Sequence, residues 1–266
     1  MKLFYRKYGN GVPLIILHGL FGSSDNWVTI ARQLEDSFTV YLPDLRNHGR
    51  SPHSSVHDYD SMRDDLFELV KELKLNKFFL AGHSMGGKVA VKFALKWPEL
   101  IHGLLIADIS PFKNESLTTS AYQLHSTIFK AILSTDISSV TSRDEANSML
   151  SAGIPSGKIR SLVMKNLQRN DEKSFSWKLN AQALSDNFEK IIEGIDRRMY
   201  MTHRITGFPV IFLKGENSDY LPAEDLTDIQ KIFPAAELVV VKNAGHWINA
   251  DQPGEVIKNI KKLIDS

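Results

Sequence analysis

The chain has 266 residues, of which 42% are apolar and 24% are charged, a composition typical of globular proteins and unlike that of disordered or fibrous ones. Its formal net charge of +1 gives no electrostatic reason to expect binding to nucleic acid or to an anionic membrane surface. Cysteine is absent, which excludes disulfides, thiolate metal ligands and a cysteine nucleophile.

The start of the sequence, Met1 to Lys7, lacks the apolar segment of a signal peptide. No stretch of the chain reaches the roughly 18 consecutive apolar residues that a membrane span requires. We therefore expect a cytoplasmic protein with no membrane span.

Short apolar runs alternate with amphipathic stretches along both ends of the sequence. Most of the runs are rich in Val, Ile and Leu, as expected for strands that are covered on both faces. The predicted strands are Leu3–Tyr8, Leu14–Leu17, Thr39–Leu42, Phe78–Ala81, Gly103–Ala107, Pro209–Leu213 and Glu237–Val241. The predicted helices between them are Trp27–Leu34, Ser61–Leu73, Lys88–Trp97, Leu226–Phe233 and Pro253–Ile264. This alternation predicts an α/β fold with a mostly parallel sheet and helices on both sides.

Residues 111–204 interrupt the alternation. They contain no convincing strand, and their helical patterns cover Ala121–Ser134, Arg143–Leu150, Ile159–Leu167 and Ala181–Ile192. We therefore predict a core formed by residues 1–110 and 205–266, with residues 111–204 inserted between two strands as a helical cap.

The sequence Gly82-His83-Ser84-Met85-Gly86 lies where a predicted strand gives way to a predicted helix. A nucleophile elbow requires this arrangement, because the turn is so tight that the residues two before and two after the serine must lack bulk. By composition alone, the pattern G-x-S-x-G arises in roughly one chain in ten of this size. The strand before Ser84 and the helix after it raise this match above chance, so Ser84 is the candidate nucleophile.

An activated serine needs a general base. His246 follows the last predicted strand on a small, flexible approach, residues 243–245, and the C-terminal ends of strands are where open α/β sheets bind their ligands. His83 adjoins the nucleophile and is expected to pack beside the elbow. We therefore predict that His246 is the base.

A tetrahedral oxyanion needs two backbone N–H groups directed at the developing charge. Met85 directly follows the nucleophile and begins its helix, so its N–H is one candidate. The loop after Leu14–Leu17 should supply the other. We predict Leu20 for this role, with Phe21 as the alternative.

Three segments resemble one group within the α/β-hydrolase superfamily, namely His18–Ser23, Asp44–His53 and Asp108–Pro111. They are similar to the bacterial YbfF-type esterases and to ABHD-eleven-like hydrolases, and Trp177–Asn180 also suits that group. The resemblance implies the α/β-hydrolase fold and hydrolysis of carboxylic esters with short to medium acyl chains, with acyl thioesters as a second substrate class. It implies no metal and no organic cofactor, so the expected partners are a small-molecule acyl ester and water.

The acid of the triad has two candidates. Many relatives place it after the penultimate strand in a G-x-x-D pattern, but here Ser218 holds that position and Asp219 comes one residue late. Asp108 instead follows the apolar residues Leu104–Ala107, and in the esterase subgroup the aspartate at this strand tip is the expected partner of the histidine. A buried aspartate there requires compensation, part of which a histidine N–H supplies. The resemblance therefore favours Asp108, with Asp219 as the alternative.

Aromatic residues near the predicted site are candidates to line a substrate pocket, namely Phe21, Phe112, Trp177 and Trp247. We predict a carboxylesterase-type serine hydrolase that works through an acyl-enzyme. Other activities use the same triad, so a cofactor-free haloperoxidase-type enzyme and a carbon–carbon bond hydrolase are open alternatives. A non-enzymatic ligand-binding protein on this fold is a third.

Overall fold

The computed structural model describes residues 1–113, 115–170, 174–197 and 202–264, with the backbone alone at 115–121. Within these residues the strands are β1 (Tyr5–Tyr8), β2 (Val12–Leu17), β3 (Phe38–Pro43), β4 (Phe78–His83), β5 (Ile101–Ala107), β6 (Leu167–Arg169), β7 (Phe175–Trp177), β8 (Val210–Gly215) and β9 (Ala236–Val241). Seven of these described strands form one sheet in the order β1-β3-β2-β4-β5-β8-β9, in which β1 is antiparallel to β3 and the other pairs are parallel.

Helices cover both faces of this sheet. In the described part of the chain they are α1 (Val28–Leu34), α2 (Tyr59–Glu72), α3 (Met85–Lys96), α4 (Glu115–Ser134), α5 (Arg143–Ser151), α6 (Gly157–Met164), α7 (Ala181–Asp186), α8 (Phe188–Ile192), α9 (Asp225–Ile232), α10 (Ile248–Asp251) and α11 (Pro253–Lys262). None of the described helices combines the length and hydrophobicity that a membrane span requires.

Alternate residues of the central strands pack into two apolar layers. Ile15 of β2 belongs to the layer formed with α2, α3 and α9, whereas Ile16 belongs to the layer formed with α1 and α11. All six residues of β3 and of β4 are buried, which is why these strands read as nearly continuous apolar runs in the sequence.

The predicted strands of the sheet are confirmed, and their ends lie within two residues of those in the structure. The predicted helix Lys88–Trp97 begins earlier, at Met85. The difference arises because the elbow turns directly into the helix, so the glycines that break the apolar pattern are themselves helical.

Between β5 and β8 the chain leaves the sheet, and we call this segment the insertion. It contains α4 to α8 and also the hairpin of β6 and β7, in which Leu167 pairs with Trp177. The prediction that this segment lacks strands is therefore wrong. Each of the two strands is three residues long, which is too short to show an alternating pattern in the sequence.

The hairpin also shortens a predicted helix. The pattern Ile159–Leu167 predicted one helix, but α6 ends at Met164 and Leu167 begins β6. Asn166 makes the break: its side-chain amide donates to the Val163 carbonyl at 3.3 Å, and its own carbonyl accepts the N–H of Lys178 at 2.8 Å.

The predicted helix Ala181–Ile192 is two helices, α7 and α8, separated at Asn187. The Asn187 side-chain amide donates to the carbonyl of Ala183 at 2.9 Å and to that of Ser55 at 2.8 Å. An asparagine that competes with the backbone for hydrogen bonds favours such a break.

Candidate active site

Ser84 lies at a sharp turn between β4 and α3, with backbone angles φ 53° and ψ −120°. A positive φ is strained for a residue other than glycine. Gly82 and Gly86 make the turn possible: a Cβ atom on Gly82 would lie 2.3 Å from the Gly86 carbonyl oxygen, and one on Gly86 would lie 2.6 Å from that of His18. The structure therefore contains the tight turn that the sequence predicts for a nucleophile elbow.

His246 stands between Ser84 and Asp108. Its Nε2 lies 3.0 Å from Ser84 Oγ, and its Nδ1 lies 2.9 Å from Asp108 Oδ2. Because an ionised carboxylate can only accept hydrogen bonds, the hydrogen lies on Nδ1, and this N–H donates a hydrogen bond to Asp108. Nε2 is then free to accept the hydroxyl proton of Ser84, which is the orientation that a general base requires.

Asp108 is fully buried at the end of β5, and its carboxylate has three donors. The N–H of Gly215 donates to Oδ1 at 2.8 Å, while the Ser218 hydroxyl and the His246 ring donate to Oδ2. These bonds compensate for the burial of a negative charge. The alternative acid, Asp219, is exposed, and His246 Nδ1 contacts Asp108 instead.

The loop after β2 lies against the nucleophile. A Cβ atom on Gly19 would lie 3.2 Å from Ser84 Cβ and 2.9 Å from His83 Nδ1, so only glycine permits this approach. Leu20 and Met85, the two predicted oxyanion residues, line the same cavity as Ser84. Phe21, the alternative, has φ 60°, and its carbonyl accepts a hydrogen bond from Asn166 of the insertion at 2.7 Å.

Two aromatic residues hold the His246 loop. His83 packs beside the elbow as expected, and its Nε2 donates to the His246 carbonyl at 2.7 Å. Burial lowers the pKa of His83 to about 3, so its ring is neutral near pH 7. The Tyr220 ring stacks on the His246 ring, with centroids 3.7 Å apart. Tyr220 lies in a loop, where no periodicity of the sequence marks it as part of the site.

Two cavities meet at Ser84. The first has a volume of about 80 Å³, and we call it the Lys88 cavity. Its walls include Tyr59, Lys88, Phe112, Phe188, Ile191 and Ile192. The second, the Trp247 cavity, has a volume of about 220 Å³. Its walls include Phe21, Trp27, Leu124, Ile159, His246 and Trp247.

Three of the four predicted pocket residues line these cavities. Phe112 lines the Lys88 cavity, while Phe21 and Trp247 line the Trp247 cavity. The fourth, Trp177, lines neither of them, and its place in a substrate pocket stays a prediction. Trp177 pairs with Leu167 in the hairpin and packs against the apolar interior, an environment that the sequence analysis had not predicted.

Lys88 is a buried lysine that the sequence analysis placed at the start of an amphipathic helix. Its Nζ donates to the carbonyl oxygens of Ile192 at 3.0 Å and Glu193 at 3.3 Å, at the end of α8. Burial lowers the pKa of Lys88 to about 8, although the charge of Glu193 opposes this effect. A lysine in a helix usually reads as a solvated residue, so no sequence signal distinguished it.

Three further histidines are buried near the elbow, namely His18, His48 and His57. Nε2 of His18 accepts the N–H of Leu45 at 2.9 Å, and Nε2 of His57 lies 3.5 Å from Met85 Sδ. Burial lowers the pKa of all three, and that of His57 to about 3. Among the residues that the structure describes, no group of three or more His, Cys, Asp or Glu is arranged to hold a metal ion.

Comparison with known proteins agrees with this geometry. Residues 12–253 match the family model described as the alpha/beta hydrolase fold. The chain belongs to this family. The predicted fold, a mostly parallel sheet with flanking helices, is thereby confirmed.

Several relatives of this α/β hydrolase are named as esterases or lipases. It is 36% identical over 266 residues to the sn-1-specific diacylglycerol lipase ABHD11 of Danio rerio, covering 95% of this chain and 78% of that protein. It is 28% identical to esterase YbfF of Escherichia coli, covering 96% of this chain and 94% of that protein. The solved structure of a marine microorganism esterase has 40% sequence identity and a TM-score of 0.91, and covers 99% of both chains. The predicted resemblance to both groups is confirmed, and the chain is an ester-hydrolysing type of α/β hydrolase.

Proposed function

We propose that this protein is a carboxylesterase-type serine hydrolase, which cleaves carboxylic esters with short to medium acyl chains, and acyl thioesters, through an acyl-enzyme on Ser84. The observation that carries the proposal is the line of hydrogen bonds from Ser84 through His246 to Asp108, with lengths of 3.0 and 2.9 Å. The esterase relatives support it.

In the first half-reaction, Ser84 Oγ attacks the acyl carbonyl carbon while its proton passes to Nε2 of His246. The carboxylate of Asp108 stabilises the imidazolium that forms. The bond between the carbonyl carbon and the leaving oxygen or sulfur then breaks. The leaving atom takes the proton from Nε2 and departs as an alcohol or a thiol, and the acyl group stays on Ser84.

In the second half-reaction, water replaces the alcohol. His246 Nε2 takes a proton from water as the water oxygen attacks the acyl carbon. When this second tetrahedral intermediate collapses, Ser84 Oγ leaves, recovers the proton from His246, and the carboxylic acid is released. The hydrogen bond from His83 to the His246 carbonyl and the stacking of Tyr220 on the His246 ring keep that ring in position throughout.

The oxyanion of both intermediates is assigned to the backbone N–H groups of Leu20 and Met85. Leu20 is preferred to Phe21 because Leu20 lines both cavities that meet at Ser84, whereas Phe21 lines the Trp247 cavity. The close approach of Gly19 to Ser84 supports this assignment, since it brings the loop backbone to the reacting atoms. Each such donor is worth roughly 100- to 1,000-fold in turnover.

We assign the leaving group and the acyl group to the two cavities from the position of His246. Its Nε2 must reach the leaving group, and His246 lines the Trp247 cavity. The leaving group is therefore assigned to the Trp247 cavity, and the acyl group to the Lys88 cavity, whose volume of about 80 Å³ suits short chains. We also propose that residues 111–204 act as the cap, because Phe188 and Ile191 of α8 form walls of the acyl cavity.

Ser84→Ala tests this function. We expect kcat/KM for p-nitrophenyl butyrate to fall by about a thousandfold or more, and covalent labelling by a fluorophosphonate probe to disappear. The exposed serine of α5, Ser148, offers a matched control, and Ser148→Ala should keep both signals. Hydrolysis by Ser84→Ala near the wild-type rate would refute the nucleophile, and absence of labelling in the wild type would favour a ligand-binding protein.

A further inference from the structure

Lys88 brings a positive charge into the cavity that we assign to the acyl group. It is 6% exposed and lines this cavity together with Ile109, Phe112 and Ile192. Its lowered pKa of about 8 still leaves most of the ammonium protonated at pH 7. A buried charge is costly unless a partner compensates for it, so the partners of Lys88 are informative.

These partners are uncharged. The ammonium has three N–H groups, and two of them donate to the carbonyl oxygens of Ile192 and Glu193. Within the described ranges of the chain, no carboxylate forms an ion pair with Lys88. The charge of the exposed Glu193 side chain raises the pKa of Lys88, but burial outweighs it. The centroid of the Tyr59 ring lies 5.7 Å from Nζ, and this ring is a further uncharged partner. Among the described residues, two acceptors are therefore found for three N–H groups, and no anion lies in hydrogen-bond contact with the ammonium.

The position of Lys88 relative to the nucleophile limits what can supply that compensation. Lys88 lies one turn after Ser84, since its backbone N–H donates to the Ser84 carbonyl at 3.2 Å, and both side chains line the Lys88 cavity. Side chains in a helix also lean toward its N-terminus, which here is the end at Ser84. Because one turn of α-helix rises about 5.4 Å, only a short chain of carbons fits between a carbonyl held at Ser84 and a group that binds Lys88.

We propose, resting on the esterase function above, that Lys88 determines acyl specificity by binding a carboxylate at the far end of the acyl group. The favoured substrates are then half-esters, or half-thioesters, of short dicarboxylic acids. The substrate carboxylate supplies the missing counter-charge, and the rest of its chain contacts the apolar walls of the Lys88 cavity.

Lys88 also has a structural role that the test must separate. With Tyr59, whose hydroxyl donates to the Ile191 carbonyl at 2.6 Å, it binds the last carbonyls of α8. A lysine that only fastened α8 would affect neutral and anionic substrates alike. A specificity residue changes the ratio between them.

The experiment compares two esters of similar shape. Monomethyl succinate carries the carboxylate, and methyl 4-methylpentanoate carries an isopropyl group in its place. Hydrolysis of both is followed by titration of released acid at pH 7. We expect wild-type kcat/KM to be at least about tenfold higher for monomethyl succinate, since a charge-assisted hydrogen bond is made to that substrate alone.

Two variants separate charge from packing. Lys88→Gln keeps a donor for the α8 carbonyls but removes the charge, and Lys88→Met removes both. We expect the ratio of kcat/KM for monomethyl succinate over the neutral ester to fall at least about tenfold in each. Tyr59→Phe is the matched control, because it loosens the same helix end without a change of charge and should affect both esters equally. Circular dichroism checks folding.

The outcomes are distinguishable. If the wild type hydrolyses the neutral ester as fast as monomethyl succinate, or if Lys88→Gln slows both esters equally, the specificity proposal is wrong while the esterase function stands. If neither ester is hydrolysed, the esterase function fails, and calorimetric titration of wild-type protein with succinate then tests the carboxylate site directly. Binding that Lys88→Gln weakens by about tenfold supports the site, and undetectable binding overturns it.

Discussion

The core and the insertion hold their parts of the site by different means. In the core, Ser84, Asp108 and His246 lie at the ends of strands or in the loops that follow, and hydrogen bonds join them directly. The insertion contacts the core at scattered points, such as the hydrogen bond from Asn166 to Phe21 and the 2.6 Å ion pair between Lys158 and Asp251. Reaction geometry thus depends on the sheet, whereas the shape of the substrate cavities depends on the insertion.

This difference predicts that variants of the triad and of the loop after β2 change the rate for every substrate. Variants of the cavity walls, which Lys88 of the core and α8 of the insertion both supply, should change the preference among substrates.

The largest effect is expected at the acid. Asp108→Asn should lower kcat by about 10³- to 10⁴-fold, because an amide favours the wrong tautomer of His246. Asp219→Asn is the matched control and should stay within about twofold, since Asp219 is exposed. Ester hydrolysis by the two purified variants measures this. A collapse of turnover in Asp219→Asn alone would reverse the assignment of the acid.

A smaller loss is expected in the loop after β2. Gly19→Ala places a methyl group 2.9 Å from His83 Nδ1 and 3.2 Å from Ser84 Cβ, so the loop must shift by a fraction of an ångström. We expect kcat to fall by roughly 100-fold for short and long esters alike. Gly254→Ala is the control, because an added Cβ atom there meets open space. Gly207→Ala is unsuitable, because the positive φ of Gly207 strains any other residue. Unchanged turnover in Gly19→Ala would place the oxyanion elsewhere.

The buried histidines of the core should make its stability sensitive to acid. Burial lowers the pKa of His57 and of His83 to about 3 from 6.5, so below pH 6.5 the unfolded chain binds protons that the folded chain does not. As the pH falls below 6.5, each histidine should lower the free energy of unfolding by about 1.4 kcal/mol per pH unit, which is a tenfold change in the folding equilibrium constant. This loss should continue until the pH nears the pKa of the histidine in the folded state. Urea unfolding at pH 7, 6 and 5 measures this slope.

His57→Gln should reduce the slope of the unfolding free energy against pH by about 1.4 kcal/mol per pH unit between pH 6.5 and 4, the contribution of one proton. A slope equal to that of the wild type would mean that His57 does not enter the folded state as a neutral ring.

The smallest effect is expected from the insertion. Ile192→Ala enlarges the Lys88 cavity and should shift the ratio of kcat/KM for p-nitrophenyl octanoate over butyrate upward by about threefold, with fluorophosphonate labelling unchanged. Leu133→Ala, at an exposed position of α4, is the control. If Ile192→Ala slows both esters equally and leaves their ratio fixed, the division between core and insertion is wrong.

The sequence could predict those features that depend on residues close together in the chain. The elbow at Ser84 follows from steric limits within five residues, and the strands follow from continuous apolar runs. The choice between Asp108 and Asp219 depended on resemblance, because both follow strands and only the spatial path of the loops separates them. Lys88 donates to the carbonyl of Ile192, 104 positions away, and Tyr220 stacks on His246, which lies in a different loop of the chain. No short sequence window records such contacts.

Ser218 has a consequence for how this site tolerates change. It occupies the position at which many relatives place the acid, and its hydroxyl donates a hydrogen bond to Asp108. The loops that follow β5 and β8 therefore bring positions 108 and 218 into contact. Aspartate at both positions would bring two carboxyl groups side by side, and the repulsion between their negative charges would keep one of them protonated. An aspartate at position 218 would therefore need a neutral side chain at position 108, and the pairing of a serine with an aspartate in this chain avoids the repulsion.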